Sequence, residues 1–240
     1  MNLLLHTTKM YVGHIAIGFA LKAFMPSIKS LPILMGVGFL DIIDGILVVL
    51  GIEKTSPNLA AGPYLFFNLD FIDWDHSLLM AVVLSFVWAA FFLPDRKTAL
   101  AALVACFSHF LSDLPMHIND LALYPYSIEH MGYGLWGKLL TWAWVLEGLF
   151  SLVLVWCGTK RFHARGVSVL GPVVILAILF FHLSPWLSPM KTIAALDNED
   201  MANTLHGVLV FLGFFAPGII LTRMIDSAEK KALLTSTKAA

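Results

Sequence analysis

Long apolar runs separated by short polar clusters mark this chain from end to end. Runs approaching the ~20 residues that a helix needs to cross the hydrocarbon core of a bilayer fall at roughly 10–26, 31–52, 76–93, 98–115, 138–158, 166–187 and 204–224. The first is short and carries His14 and Lys22 within it. No heptad, solenoid or low-complexity repeat breaks the series. The expected fold class is all-α: a polytopic integral membrane protein with about seven helical segments in one bundle. Residues 1–225 would form a single transmembrane domain, and 226–240 ("DSAEKKALLTSTKAA") a polar tail, either a solvated helix or disordered.

Composition agrees with a lipid solvent. The chain has 240 residues, 59% hydrophobic and 13% charged, with a mean hydropathy of +0.83. Soluble domains carry about 25% charged residues, so apolar area on this scale calls for a bilayer as partner. The net charge of −1, with no basic block, gives no reason to expect nucleic acid. Cys106 and Cys157 both fall inside apolar runs and read as small core residues, not a disulfide. Lys9, His14 and Lys22 at the start, with no small-residue cleavage site after a clean apolar core, argue against a cleaved signal.

Orientation follows from lysine and arginine, which gather on the cytoplasmic side. With seven spans, one side collects Lys22, Lys29, Arg96, Lys97, Lys160, Arg161, Arg165, Arg223, Lys230, Lys231 and Lys238, eleven in all. The other holds four: Lys9, Lys54, Lys138 and Lys191. The N-terminus is therefore expected outside and the C-terminus in the cytoplasm, across the cell (inner) membrane.

On that map the ligand-type side chains gather towards one face. His14, Asp41 and Asp44, His76, and His109 with Asp113 all fall towards the outer ends of their segments, and His117 lies just beyond. Asp41 and Asp44 are three apart and His109 and Asp113 four apart, so each pair shares a helix face. A carboxylate at membrane depth costs about 2.5–3.5 kcal/mol on insertion scales, and two on one turn repel. A divalent cation removes both objections, because it binds deprotonated oxygen and imidazole ligands and neutralises them. Zinc suits a His/Asp mixture best; manganese and ferrous iron also fit. His109 and Asp113 read as two ligands on one face, with Pro115 ending the helix so that His117 stands apart. Glu147, mid-span, is open between a supporting partner of the site and an interhelical hydrogen bond. Asp70, Asp73 and Asp75 lie in an outer loop where solvation is the ordinary reading, Asp75 being nearest in sequence to His76. His182 and His206 read as interface residues, and His6, His130 and His163 as ordinary ones. Trp136, Trp142, Trp144 and Trp186 read as an interfacial belt.

The order "GHIAIG", a pair of aspartates in the next helix, "DHS" opening a later helix and "SHFLSD" closing another resembles the YdjM-type membrane-bound metal-dependent hydrolases, over roughly residues 10–120. That family is grouped remotely with the all-helical zinc phospholipases C and single-strand nucleases. The resemblance implies a metal-ligand set of His14, Asp41, Asp44, His76, His109 and Asp113. Two steps depart from the pattern: "GFLDIID" lacks the proline before the paired acids, and "DWDHS" lacks the His-Arg step, removing an arginine that would anchor a phosphate.

The function expected is metal-dependent hydrolysis of a phosphoester in a lipid or lipid-linked substrate, which can arrive sideways from the bilayer. Asp44 or Asp75 would accept the proton of the attacking water, and His117 would donate one to the leaving group. The rival readings are a metal- or proton-coupled transporter, and a membrane regulator with a structural metal.

Overall fold

A computed structural model describes residues 10–239 of the chain. His6 and Lys9 lie outside the described residues.

Seven principal helical segments stand where the apolar runs predict them. Helix α1 (Val12–Phe24) is followed by α2 (Ser30–Leu34), a 3-10 turn at Gly36–Gly38 and α3 (Phe39–Val49), which together fill the second run. Helices α5 (Leu78–Ala90) and α6 (Arg96–Asp113) fill the third and fourth, and α8 (Thr141–His163), α9 (Leu170–His182) and α11 (Glu199–Ala239) the last three. Between them lie elements that hydropathy did not announce. These are an antiparallel pair β1 (Lys54–Pro57) and β2 (Phe67–Phe71), a short α4 (Asp73–His76), a second pair β3 (Leu121–Ala122) and β4 (His130–Met131), α7 (Leu135–Leu139) and α10 (Pro189–Ala194).

Local chemistry sets the helix starts. Ser77 accepts from the Met80 N–H at the head of α5. Asp95 accepts from the Lys97 and Thr98 N–H groups at the head of α6. Asn198 accepts from Met201 N–H at the head of α11. Each satisfies N–H groups that a helix leaves free in its first turn.

By length and composition, three helices are able to cross a membrane: Ser30–Val49, Thr141–His163 and Glu199–Thr237. Val12–Phe24, Leu78–Ala90 and Leu170–His182 are apolar but shorter. Thirteen helical residues extend only about 20 Å at 1.5 Å per residue. The apolar runs were longer than these helices because hydropathy does not register where the chain turns. Polarity runs inside out, as lipid contact requires. Phe86, Phe91, Leu152, Trp156 and Phe181 face outward, while His14, Asp41, Asp44, His76, His109 and Asp113 are fully buried.

Close approach of α3 and α11 brings the Asp41 helix into the bundle. At their crossing a Cβ on Gly45 would stand 2.5 Å from the Gly207 carbonyl oxygen, so only glycine lets the two backbones meet there.

One expectation is sharpened and one corrected. Helix α11 continues without a break past residue 225, and its continuation packs on the body. Glu229 pairs with the buried Lys22 at 2.8 Å and with Arg165 at 3.5 Å, and Asp226 accepts from the Ser30 hydroxyl at 2.5 Å. The tail is thus a helix that is largely exposed, as the solvated-helix alternative has it, but tied at its base: Glu229 to charges on other elements and Asp226 to a hydroxyl. Trp136 and Trp144 are interior, not interfacial: Trp136 sits edge-on to Tyr64, and Trp144 stacks on Phe180. Trp142 and Trp186 do face outward. Neither cysteine is in a disulfide.

Candidate metal centre

Helices α1, α3, α4 and α6, with the turn after α6, send His14, Asp41, Asp44, Asp75, His76, His109, Asp113 and His117 to one place, all at 0% exposure. Three overlapping groups have ligand atoms within 4.8 Å of one another: His14, His109 and Asp113; Asp41, His76 and His109; and Asp44, Asp75 and His76. These clusters are able to hold a metal ion.

The inner geometry is that of donors around a point. Nε2 of His76 lies 3.3 Å from Nε2 of His109. Asp41 divides its carboxylate between them, Oδ1 at 3.6 Å from His76 and Oδ2 at 3.5 Å from His109. Oδ2 of Asp113 lies 3.5 Å from the first ring and 3.1 Å from the second. Around a tetrahedral zinc with bonds of about 2.0–2.1 Å, neighbouring donors stand about 3.3–3.4 Å apart. The observed separations bracket that value.

Protonation points the same way. Nδ1 of His109 is 2.7 Å from the Val37 carbonyl, which can only accept, so Nδ1 carries the proton and donates it. Nδ1 of His76 is 2.7 Å from Oδ2 of Asp75. His109 is thus held from behind by a hydrogen bond and His76 is flanked from behind by the Asp75 carboxylate, each with Nε2 turned inward, the usual arrangement of metal-binding imidazoles. At 3.3 Å two Nε2 protons would collide, so at most one of these nitrogens is protonated towards the centre. A cation satisfies both, and the two carboxylates as well.

Asp113 faces a second side. Its Oδ1 is 3.0 Å from Nε2 of His14 and 3.9 Å from Nε2 of His117. The Ser112 hydroxyl, whose own proton goes to the carbonyl of Ser108 or His109, accepts from Nδ1 of His14 at 3.0 Å. Nδ1 of His117 meets Asp120 at 3.1 Å, while its Nε2 is buried with no hydrogen-bond partner. The rings of His14 and His109 stack at 3.7 Å, only 10° from parallel. One carboxylate therefore stands between two sets of imidazole nitrogens.

Glu147, left open by the sequence, has a definite place. Reaching from α8, its Oε1 accepts from the N–H groups of Tyr11 and Gly13, each at 2.9 Å, and its Oε2 from the Tyr64 hydroxyl at 2.7 Å. It takes the role of the capping side chain that Tyr11 does not supply to α1, and so fixes the helix that carries His14. Burial, and next the Glu147 carboxylate, push the Tyr64 phenol well above its ordinary pKa, so it stays a donor.

Of the loop acids, Asp70 is exposed, but Asp73 and Asp75 are buried. Asp73 accepts from Tyr126 N–H at 2.7 Å, tying the β3–β4 segment to the start of α4. His206 is buried against Phe67 and His182 is exposed, both away from the cluster. Ser112, Asp120 and the Val37 carbonyl were not foreseen. Asp120 had a signal in its three-residue spacing from His117; the Val37 contact had none, because it depends on how α6 packs on the 3-10 turn. Comparison with family models, with curated proteins and with solved structures returns no match for this chain.

Proposed function

We propose that this chain is a membrane-embedded hydrolase of lipid-linked phosphoesters, dependent on one or two divalent cations, zinc foremost. The observation that carries this reading is the placement of Asp113, with His76 and His109 on one oxygen and His14 and His117 on the other. Mixed imidazole and carboxylate donors at tetrahedral spacing favour zinc over manganese or ferrous iron.

When bound, such a cation supplies Lewis acidity and brings the pKa of a coordinated water to about 7. The chain's own residues do the rest. Asp75 and the Val37 carbonyl hold His76 and His109 in orientation, and Ser112 does the same for His14. Asp44, within 4.8 Å of both Asp75 and His76, is the carboxylate to accept a proton. His117, braced by Asp120, is the group to return one to the departing oxygen. The resemblance to the YdjM-type hydrolases supports the same assignment, and the seating of the site among apolar helices favours a substrate that arrives from the bilayer.

Elemental analysis of protein purified without chelator is expected to give one or two zinc ions per chain, together with turnover in a broad phosphoesterase screen. Absence of any transition metal would reduce the cluster to a hydrogen-bonded polar core. Metal without turnover would favour a transporter or a structural site.

The seven-span arrangement, with the cluster outside, makes a separate prediction from the eleven-to-four division of Lys and Arg. Single cysteines at position 54 should react with an impermeant reagent in intact cells, and those at position 161 only after permeabilisation. The reverse pattern would move the site to the cytoplasmic face.

A further inference from the structure

Among the described residues, an apolar crevice between α9 and α11 leads to the cluster, and another between α8 and α9 does not. The first, of about 380 Å³, lies between α9 and α11, within the ~300–1,000 Å³ range of small-molecule sites. Ile178, Leu212 and Ile220, all turned to the bundle exterior, form its outer lining. Tyr11, Tyr64 and Asp41 also line it, and Asp41 is the carboxylate shared with His76 and His109. The second, of about 410 Å³, lies between α8 and α9 and is lined by Trp144, Leu152 and Phe180 with no ionisable side chain.

We infer that the α9–α11 crevice seats one acyl chain of the lipid substrate, which enters sideways and leaves its phosphoester at Asp41. The chemistry fits a single class of occupant. Its walls offer a hydrocarbon chain apolar contact over most of its length, the same surroundings the chain has in a bilayer, so it passes in from the side without meeting water. A polar solute would find few hydrogen-bonding groups: the exposed His182 on the wall, and at the inner end the Tyr11 hydroxyl, already given to the Gly213 carbonyl at 2.8 Å, and Tyr64, given to Glu147. Pro217 interrupts the hydrogen-bond ladder of α11 at this wall. The phosphoester end of the assignment rests on the hydrolase reading; the chain seat is tested apart from it.

The probe is phosphatidic acid carrying a diazirine at the end of one acyl chain, mixed into nanodiscs with the full-length protein. After photolysis, labelled peptides are mapped for the wild type and two variants. Ala216→Trp fills the first crevice and Ala177→Trp the second; neither touches a proposed ligand, and metal content and melting temperature report on the fold of each. Labelling of the peptides lining α9 and α11 around Ile178, Leu212 and Ile220 is expected to fall at least tenfold in Ala216→Trp and to persist in Ala177→Trp. An excess of unlabelled long-chain phosphatidic acid should compete, and the dihexanoyl form should compete far less. Equal labelling of both crevices, or labelling indifferent to Ala216→Trp, would overturn the proposal. Specific labelling in a protein that holds no metal would leave the chain seat standing and remove the hydrolase reading instead.

Discussion

Asp113→Asn is expected to release most of the bound metal, with affinity falling by more than the ~10–100-fold typical of losing a partner one step behind the ligands. The substitution keeps the volume of the side chain but replaces an anion by an amide whose N–H₂ end has to face imidazole nitrogens on one side or the other. Oδ1 and Oδ2 serve different histidines, so neither amide orientation spares both sets. Breaking a buried charged pair by removing one partner costs about 3–5 kcal/mol, and a lower melting temperature should accompany the metal loss. Chelator separates the two causes. A ligand at a thousand times its Kd stabilises the folded state by about 4 kcal/mol, so treating the wild type with EDTA should bring its melting temperature most of the way down to that of the variant. His182→Ala, in an exposed side chain lining the α9–α11 crevice, should keep its metal. Equal metal retention in the two variants would sink the ligand assignment.

Glu147→Ala is the second large effect expected, and it acts at a distance from the cluster. The carboxylate satisfies two N–H groups at the start of α1 and a phenol from the loop before β2, and each buried donor left without a partner costs about 1–3 kcal/mol. Loosening this end of α1 frees His14 two residues into the helix, while His76, His109 and Asp41 keep their own supports. If two ions are bound, the stoichiometry should fall towards one, accompanied by a clear drop in melting temperature. Glu147→Gln keeps an oxygen for the backbone groups and can donate to the Tyr64 oxygen, so its effects should be much smaller. An alanine variant with wild-type melting temperature and metal content would show that α1 is seated by other contacts.

How much of this was legible in the sequence depends on the range of the interaction. Helical spacing put His109 with Asp113, and the grouping of polar residues towards one end of their segments put them with His14, Asp41, Asp44, His76 and His117. Those statements need only periodicity and a membrane normal. What spacing does not carry is direction. That Asp75 stands behind His76, that Asp113 turns its two oxygens to different rings, and that the Val37 carbonyl receives His109 all follow from rotations of helices about their axes. Those rotations are set by packing between residues as far apart as Gly45 and Gly207. Hydropathy likewise could not show that the base of the tail helix is tied down through Asp226 to Ser30 and Glu229 to Lys22, because the partners lie some 200 residues earlier in the chain. Nor could it distinguish an interfacial tryptophan from Trp136 packed beneath Tyr64.

The seating of α1 by a residue of α8 also fixes an order of events during synthesis. All the metal-ligand candidates are contributed by residues 14 to 117, so the ribosome has delivered every one of them before it reaches Glu147. Until that carboxylate has entered the bundle, the first helix lacks the acceptor for its opening N–H groups. The nascent half-chain therefore carries the full set of donors while the acceptor that seats α1 is still to be made.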